Sequence, residues 1–242
     1  MKMIITDIHM HIIPSVDDGS QSIEESVTLL HMSVAQGVGT VIATPHSWGI
    51  DTYGFDYVLS QFEDLKKAVE DYRIPVQLHL GCEMLVIADT VDDCIRKLND
   101  GRYPTLAGSH FVLTEFDPYE TQDNMEYCLE RIIAAGYVPV IAHAERYRRI
   151  TISDIGALKN LGAMIQINGY SIANEKNCQT RQLANDCLAA RMVDFIGSDT
   201  HRLDHRPPVI KDGVAALVER YSKDYAERVT MLNPLSSFFR ES

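Results

Sequence analysis

The sequence predicts an α/β protein on a parallel sheet, with seven strand–helix units in a length that would just close a TIM-like barrel. Three observations carry that expectation. Short β-branched runs recur along the 242 residues, each run ends in polar residues, and amphipathic segments lie between them. No Ser-, Pro- or charge-rich linker and no low-complexity stretch divides the chain, so residues 1–242 are expected to form a single domain.

In chain order the strand candidates are "MIITDIHMH" (3–11), "TVIATPH" (40–46), "VQLHLGCE" (76–83), "HFVLTEF" (110–116), "VPVIAHAER" (138–146), "AMIQING" (163–169) and "VDFIGSDTH" (193–201). Between the first two lies "SIEESVTLLHMSVAQG", in which Ile23, Val27, Leu30 and Val34 fall at helical spacing. Ser22 is placed to cap that helix and Gly37 to end it. "FDYVLSQFEDLKKAVEDY" and "NMEYCLERIIAAG" read as further helices. The last dozen residues, "MLNPLSSFFRES", break the alternation and are expected to pack as a terminal tail.

Composition narrows the function. A net charge of −12 argues against binding nucleic acid through neutralised phosphates. Five scattered cysteines without a CxxC pair (Cys82, Cys94, Cys128, Cys178 and Cys187) read as reduced thiols, not as a disulfide framework. The N-terminus meets Asp7 too early for a signal-peptide apolar region, and no run approaches the roughly 20 apolar residues of a membrane span, so a cytoplasmic location is expected.

In parallel α/β folds, active sites form at the C-terminal ends of strands. There this sequence places imidazoles and carboxylates repeatedly. His9 and His11 end the first strand, and their spacing of two puts both on one side. His46 ends the second, Glu83 the third, Glu115 the fourth and His143 the fifth, while Asp199 and His201 end the seventh. Only the sixth, ending at Asn168, has no such group. A lone strand histidine is usually structural, but six of seven strands contribute to one rim. Imidazole and carboxylate donors without thiolate suit Zn²⁺, Mn²⁺ or Fe²⁺. They also exceed what one ion needs, so a carboxylate such as Glu83 is placed to bridge two ions, with a hydroxide held between them as nucleophile. Arg146, three residues after His143, and Arg206, just past His201, are suited to holding phosphate oxygens, which favours phosphoester over amide hydrolysis.

The segments "DIHMHIIPSVDDGS", "ATPHS", "GCE", "LTEF", "IAHAERY" and "SDTHR…RPP" resemble, in order, the motifs of the PHP-domain (polymerase and histidinol phosphatase) superfamily. Within it they resemble most the bacterial manganese-dependent tyrosine-protein phosphatases of capsule and exopolysaccharide clusters. The resemblance runs from residue 4 to about residue 208. It implies a distorted seven-unit barrel holding three divalent ions, usually manganese, with iron or zinc as alternatives. One ion would take His9, His11, Glu83 and Asp199, a second Glu83, Glu115 and His143, and a third Asp18, His46 and His201. Only the resemblance selects Asp18 over Asp17. Arg146 and Arg206 match the phosphate-holding arginines. The implied partner is a cognate tyrosine autokinase controlling polysaccharide synthesis. Histidinol phosphate or a similar small monoester is the alternative substrate. An amidohydrolase-like enzyme would also begin with HxH, but no strand end here offers the lysine such barrels use. Ser47 stands where many relatives carry a second histidine, and Thr200 and Arg202 flank the last histidine where small residues and asparagine are usual.

Overall fold

The computed structural model describes residues 3–173 and 178–239. Its strands are β1 (Ile5–Met10), β2 (Val38–Ala43), β3 (Gln77–Leu80), β4 (Glu83–Leu85), β5 (Phe111–Glu115), β6 (Val138–Ile141), β7 (Met164–Asn168) and β8 (Phe195–Gly197). The helices are α1 (Ile23–Ala35), α2 (Ser47–Tyr53), α3 (Phe55–Asp71), α4 (Val91–Asn99), α5 (Gln122–Ala134), α6 (Ile152–Leu161), α7 (Gly169–Ala173), α8 (Cys178–Ala189), α9 (Lys211–Arg220), α10 (Lys223–Glu227) and α11 (Asn233–Phe238). All named strand pairs are parallel, in two sheets ordered β1-β2-β3 and β4-β5-β6-β7-β8. The chain is therefore α/β with parallel sheets.

The helices form where capping and periodicity place them. Ser22 accepts from Glu25 N at the start of α1, Val27 and Leu30 turn inward, and Gly37 with φ +96° ends the turn. The third expected strand is the main difference. It breaks at Gly81–Cys82, where the chain leaves β2 and begins to pair with β5, Glu83 opposite Leu113. Gly81 N still donates to Ala43 O (2.8 Å) and Glu83 N to Pro45 O (3.0 Å), so the chain keeps its course while changing sheets. A Cβ at Gly81 would stand 3.1–3.2 Å from Ile42, Leu106 and Thr44, closer than packed atoms normally sit. Isolated parallel bridges join Met10 to Thr200 and His46 to Glu83, linking the edges of the two sheets.

Two apolar clusters support this frame. The larger lies between strands and helices. The smaller gathers Ile8, Ile42, Leu113, Val140 and Phe195 with Phe238. Through residue 239 the C-terminal segment packs against this frame, as expected of it. After a π-helical turn at Arg228–Leu232, α11 carries Phe238 to within 5.3 Å of the Phe111 ring and 5.1 Å of the Phe195 ring. Both partners begin their strands, so the segment covers the end opposite the histidines. Its apolar residues supply the reason, since Phe238 alone buries a large aromatic surface. Among the described residues no helix is long and apolar enough to cross a membrane.

Candidate metal centre

An irregularity in β1 aims the first histidines. Its register against β2 jumps between Asp7 and Met10. A regular strand would send Ile8 and His9 to opposite faces. Here Ile8 packs with Phe195, while a Cβ at Gly197, two residues on along β8, would stand 2.7 Å from His9 Cβ. The bulge thus turns consecutive side chains to one side, and Gly197 leaves room for the second. His143, Asp199 and Arg206 all have positive φ (32°, 54° and 56°), a backbone region that L residues occupy only when their surroundings over-determine it.

Neighbouring acceptors orient three of the imidazoles. Gln166 Oε1 accepts from His143 N at 2.8 Å and lies 3.2 Å from His9 Nδ1. Asp17 Oδ2 lies 2.9 Å from His11 Nδ1, and Asp199 O lies 3.0 Å from His201 Nδ1. With each Nδ1 donating, each Nε2 keeps its lone pair for the centre. There His9 Nε2 lies 3.2 Å from Glu83 Oε1, and His11 Nε2 lies 3.1 Å from Glu83 Oε2. His143 Nε2 is 2.9 Å from Glu83 Oε1 and 3.4 Å from Glu115 Oε1. His46 Nδ1 is 3.1 Å from Glu83 Oε2 and 3.6 Å from Glu115 Oε2. Asp18 Oδ1 stands 3.5 Å from His46 Nε2 and 3.6 Å from His201 Nε2, and Asp199 Oδ1 stands 3.6 Å from His9 Nε2.

All nine residues expected as metal ligands therefore come together. Four overlapping groups have donor atoms close enough to share an ion: His11–Asp18–His46–His201, His9–His11–Asp199, His9–Glu83–His143 and His46–Glu83–Glu115. Three buried atoms at the centre, His46 Nδ1, Glu83 Oε2 and His201 Nε2, have no hydrogen-bond partner. Buried polar atoms without partners are costly, and cations held by the overlapping groups would satisfy all three. The donor set fits hard or borderline divalent ions.

The charges agree with that fit. Burial pushes the Glu83 carboxyl up, but His9, His11 and His143 outweigh it and hold the group ionised well below the carboxylate range. Burial likewise opposes Asp199, which His9, His143 and Arg206 keep ionised. Burial lowers His143, yet Glu115 and Glu83 raise it to about 9, while burial and the nearby His11 take His201 down to about 2. Without metal, protons on some imidazoles balance the carboxylates. An arriving cation would displace them.

Both arginines meet at one atom. Arg146 Nη1 and Arg206 Nη1 each donate to Asp199 Oδ2 at 3.0 Å, and Asn168 Nδ2 donates to the same oxygen at 3.0 Å. Sequence reasoning missed the supporting residues. It treated the sixth strand as silent, yet Gln166 and Asn168 on β7 orient His9, His143 and Asp199. Asp17, weighed there only as a ligand and set aside for Asp18, has a supporting role instead: it accepts from His46 N (2.9 Å) and Gly19 N (2.9 Å) besides facing His11. Alternation along β7 offered a signal for Gln166, a polar residue on an inward face. Ser47 is buried, and its Oγ accepts from Leu85 N at 3.1 Å, tying α2 to β4. Arg202 pairs with Asp204 at 3.1 Å, and Thr200 is buried against Ser198.

Residues 5–238 match the family model described as "Capsular polysaccharide synthesis, CpsB/CapC". The tyrosine-protein phosphatase CpsB of Streptococcus pneumoniae is 30% identical over 236 residues, covering 94% of this chain and 96% of that protein. Tyrosine-protein phosphatase CpsB of Streptococcus agalactiae is 29% identical over 238 residues, covering 95% and 96%. A crystal structure from work on YwqE of Bacillus subtilis and CpsB of Streptococcus pneumoniae, described as unique metal-dependent tyrosine phosphatases, superposes with a TM-score of 0.86. It is 25% identical, and the match covers 98% of this chain and 96% of that one.

Proposed function

This chain belongs to the CpsB/CapC family of capsular polysaccharide synthesis, and on that premise we propose that it is a metal-dependent phosphatase acting on phosphotyrosine in proteins. The observation that carries the reading is the pair of guanidinium groups set against the donor cluster, each about one-third exposed and each bonded to Asp199 Oδ2. A substrate without anionic oxygens gives two such cations nothing to hold. A phosphate monoester offers both a bidentate partner.

His9, His11, Glu83 and Asp199 would hold one divalent ion, Glu83, Glu115 and His143 a second, and Asp18, His46 and His201 a third, with manganese the expected metal. Bound there, such ions lower the pKa of water and neutralise charge on phosphoryl oxygens. The protein does the rest. Arg146 and Arg206 hold the oxygens that face the open side, and their positions are set in advance through Asp199. A phenolate leaves readily, since its conjugate acid has a pKa of about 10, so little proton donation is needed from the chain. Among the described residues the thiols of Cys82, Cys94, Cys128 and Cys187 are free and buried, which supports a mechanism without a thiol nucleophile.

The reading extends to one domain over 1–242, a seven-unit barrel, a cytoplasmic location and a cognate tyrosine autokinase as partner. The barrel is supported by the two bridges that link the sheet edges. The kinase is supported by the capsule-synthesis family. Assay of the purified protein with manganese decides between substrates. A phosphotyrosine peptide should be turned over far faster than histidinol phosphate, and chelator should abolish the activity. Preference for histidinol phosphate would move the assignment to a small-molecule phosphatase.

A further inference from the structure

Metal ions and arginines recognise a phosphoryl group, which every monoester carries. They do not distinguish an aryl ester from an alkyl one. Discrimination needs a surface about one ring away from the phosphate, and the rim of the centre has one. Trp48, in the first turn of α2, stacks on His46 with ring centroids 5.8 Å apart and an angle of 25° between planes. His46 is nearly covered, but Trp48 keeps 43% of its surface exposed. Its anchorage is rigid. Ser47 Oγ accepts from Leu85 N on one side of it, and on the other a Cβ at Gly49 would stand 2.2 Å from Val16 O. Leu85 and Ile87, both 42% exposed, follow Glu83 along the neighbouring segment and extend the apolar rim.

We propose that Trp48 is a specificity-determining residue on which the aryl ring of the phosphotyrosyl substrate stacks while its phosphate lies at the metal centre. This rests on the phosphatase reading. Offset stacking of aromatic rings accounts for a selectivity of about three- to tenfold. The indole offers the larger of the natural aromatic faces, and the fixed α2 start means that little ordering is needed when the ring arrives.

The sequence contains a single tryptophan, so its fluorescence reports this one position. With the manganese-loaded protein, phenylphosphonate should perturb that fluorescence and methylphosphonate should not. In Trp48→Ala, KM for a phosphotyrosine peptide and Ki for phenylphosphonate should rise about three- to tenfold. Trp48→Phe should recover most of the loss, and Ki for methylphosphonate and the manganese content should stay unchanged. Equal shifts in both Ki values, or identical fluorescence responses to the two phosphonates, would overturn the proposal. If the wild-type protein hydrolysed no phosphotyrosine peptide, the phosphatase reading would fall, while the fluorescence comparison would still decide whether Trp48 meets an aryl ring. That comparison needs no variant and does not depend on Trp48→Ala folding.

Discussion

At the scale of single residues, the centre separates groups that would hold metal from groups that aim them. Arg146→Ala or Arg206→Ala should reduce turnover of a phosphotyrosine peptide by roughly 10²–10³-fold, the loss typical of one preorganised charge-assisted contact. Metal content should persist in each single variant, because the other arginine and Asn168 still bond Asp199 Oδ2. His143→Ala should lose metal and activity together. Near-normal rates in both arginine variants would favour an uncharged substrate. Asp17→Asn tests orientation. The amide cannot reproduce the charged acceptor opposite His11 Nδ1, so manganese affinity should fall by about 10–100-fold, as for other outer partners of metal-binding histidines. Elemental analysis after dialysis against graded manganese would measure it.

At the scale of elements, glycines mark where backbone segments must touch. Gly49 in α2 lies against the loop that carries Asp17 and Asp18, and an added Cβ would stand 2.2 Å from Val16 O. A carbonyl in that loop cannot move without disturbing Asp17, so Gly49→Ala should cost about 1–3 kcal/mol and weaken metal binding as well. Gly156 in the middle of α6 is the contrast. There an added Cβ would meet only Met192 Cε at 3.6 Å, an ordinary contact. Gly156→Ala should instead stabilise the protein by about 0.5–1 kcal/mol through helix propensity. Urea unfolding midpoints of the two variants should move in opposite directions.

At the scale of the whole molecule, burial silences the four described thiols, Cys82, Cys94, Cys128 and Cys187. It pushes Cys94 and Cys128 up to about 11 and Cys187 up to about 12. In the unfolded chain these thiols titrate near 9. Between that value and about 11 the unfolded state therefore holds fewer protons than the folded one, and stability falls as pH rises through this window. Below it both states are protonated and the thiols add no pH dependence. Alkylation of Cys82, Cys94, Cys128 and Cys187 in the native protein at pH 8, followed site by site by mass spectrometry, should be slow, and phosphatase activity should stay intact. Fast alkylation of one thiol with parallel loss of activity, metal still bound, would point to covalent catalysis.

The order of strands and helices was legible in the sequence because a parallel sheet covered by helices imposes a local pattern, one period of apolar residues for each kind of element. So was most of the candidate donor set, since strand ends converge in such a fold and eight of the nine residues sit at or just past one. Asp18, in the loop after β1, was singled out by the family resemblance alone. Spacing along the chain carries no information about what opposes a residue across 157 positions. For that reason the aim of His9 by the bulge and Gln166, and the meeting of Arg146 with Arg206 on Asp199, belong to the tertiary structure alone. The break at Gly81 and the docking of Phe238 have the same origin. Each depends on how much space distant strands leave when they pack, which is a property of the assembled core and not of any local run.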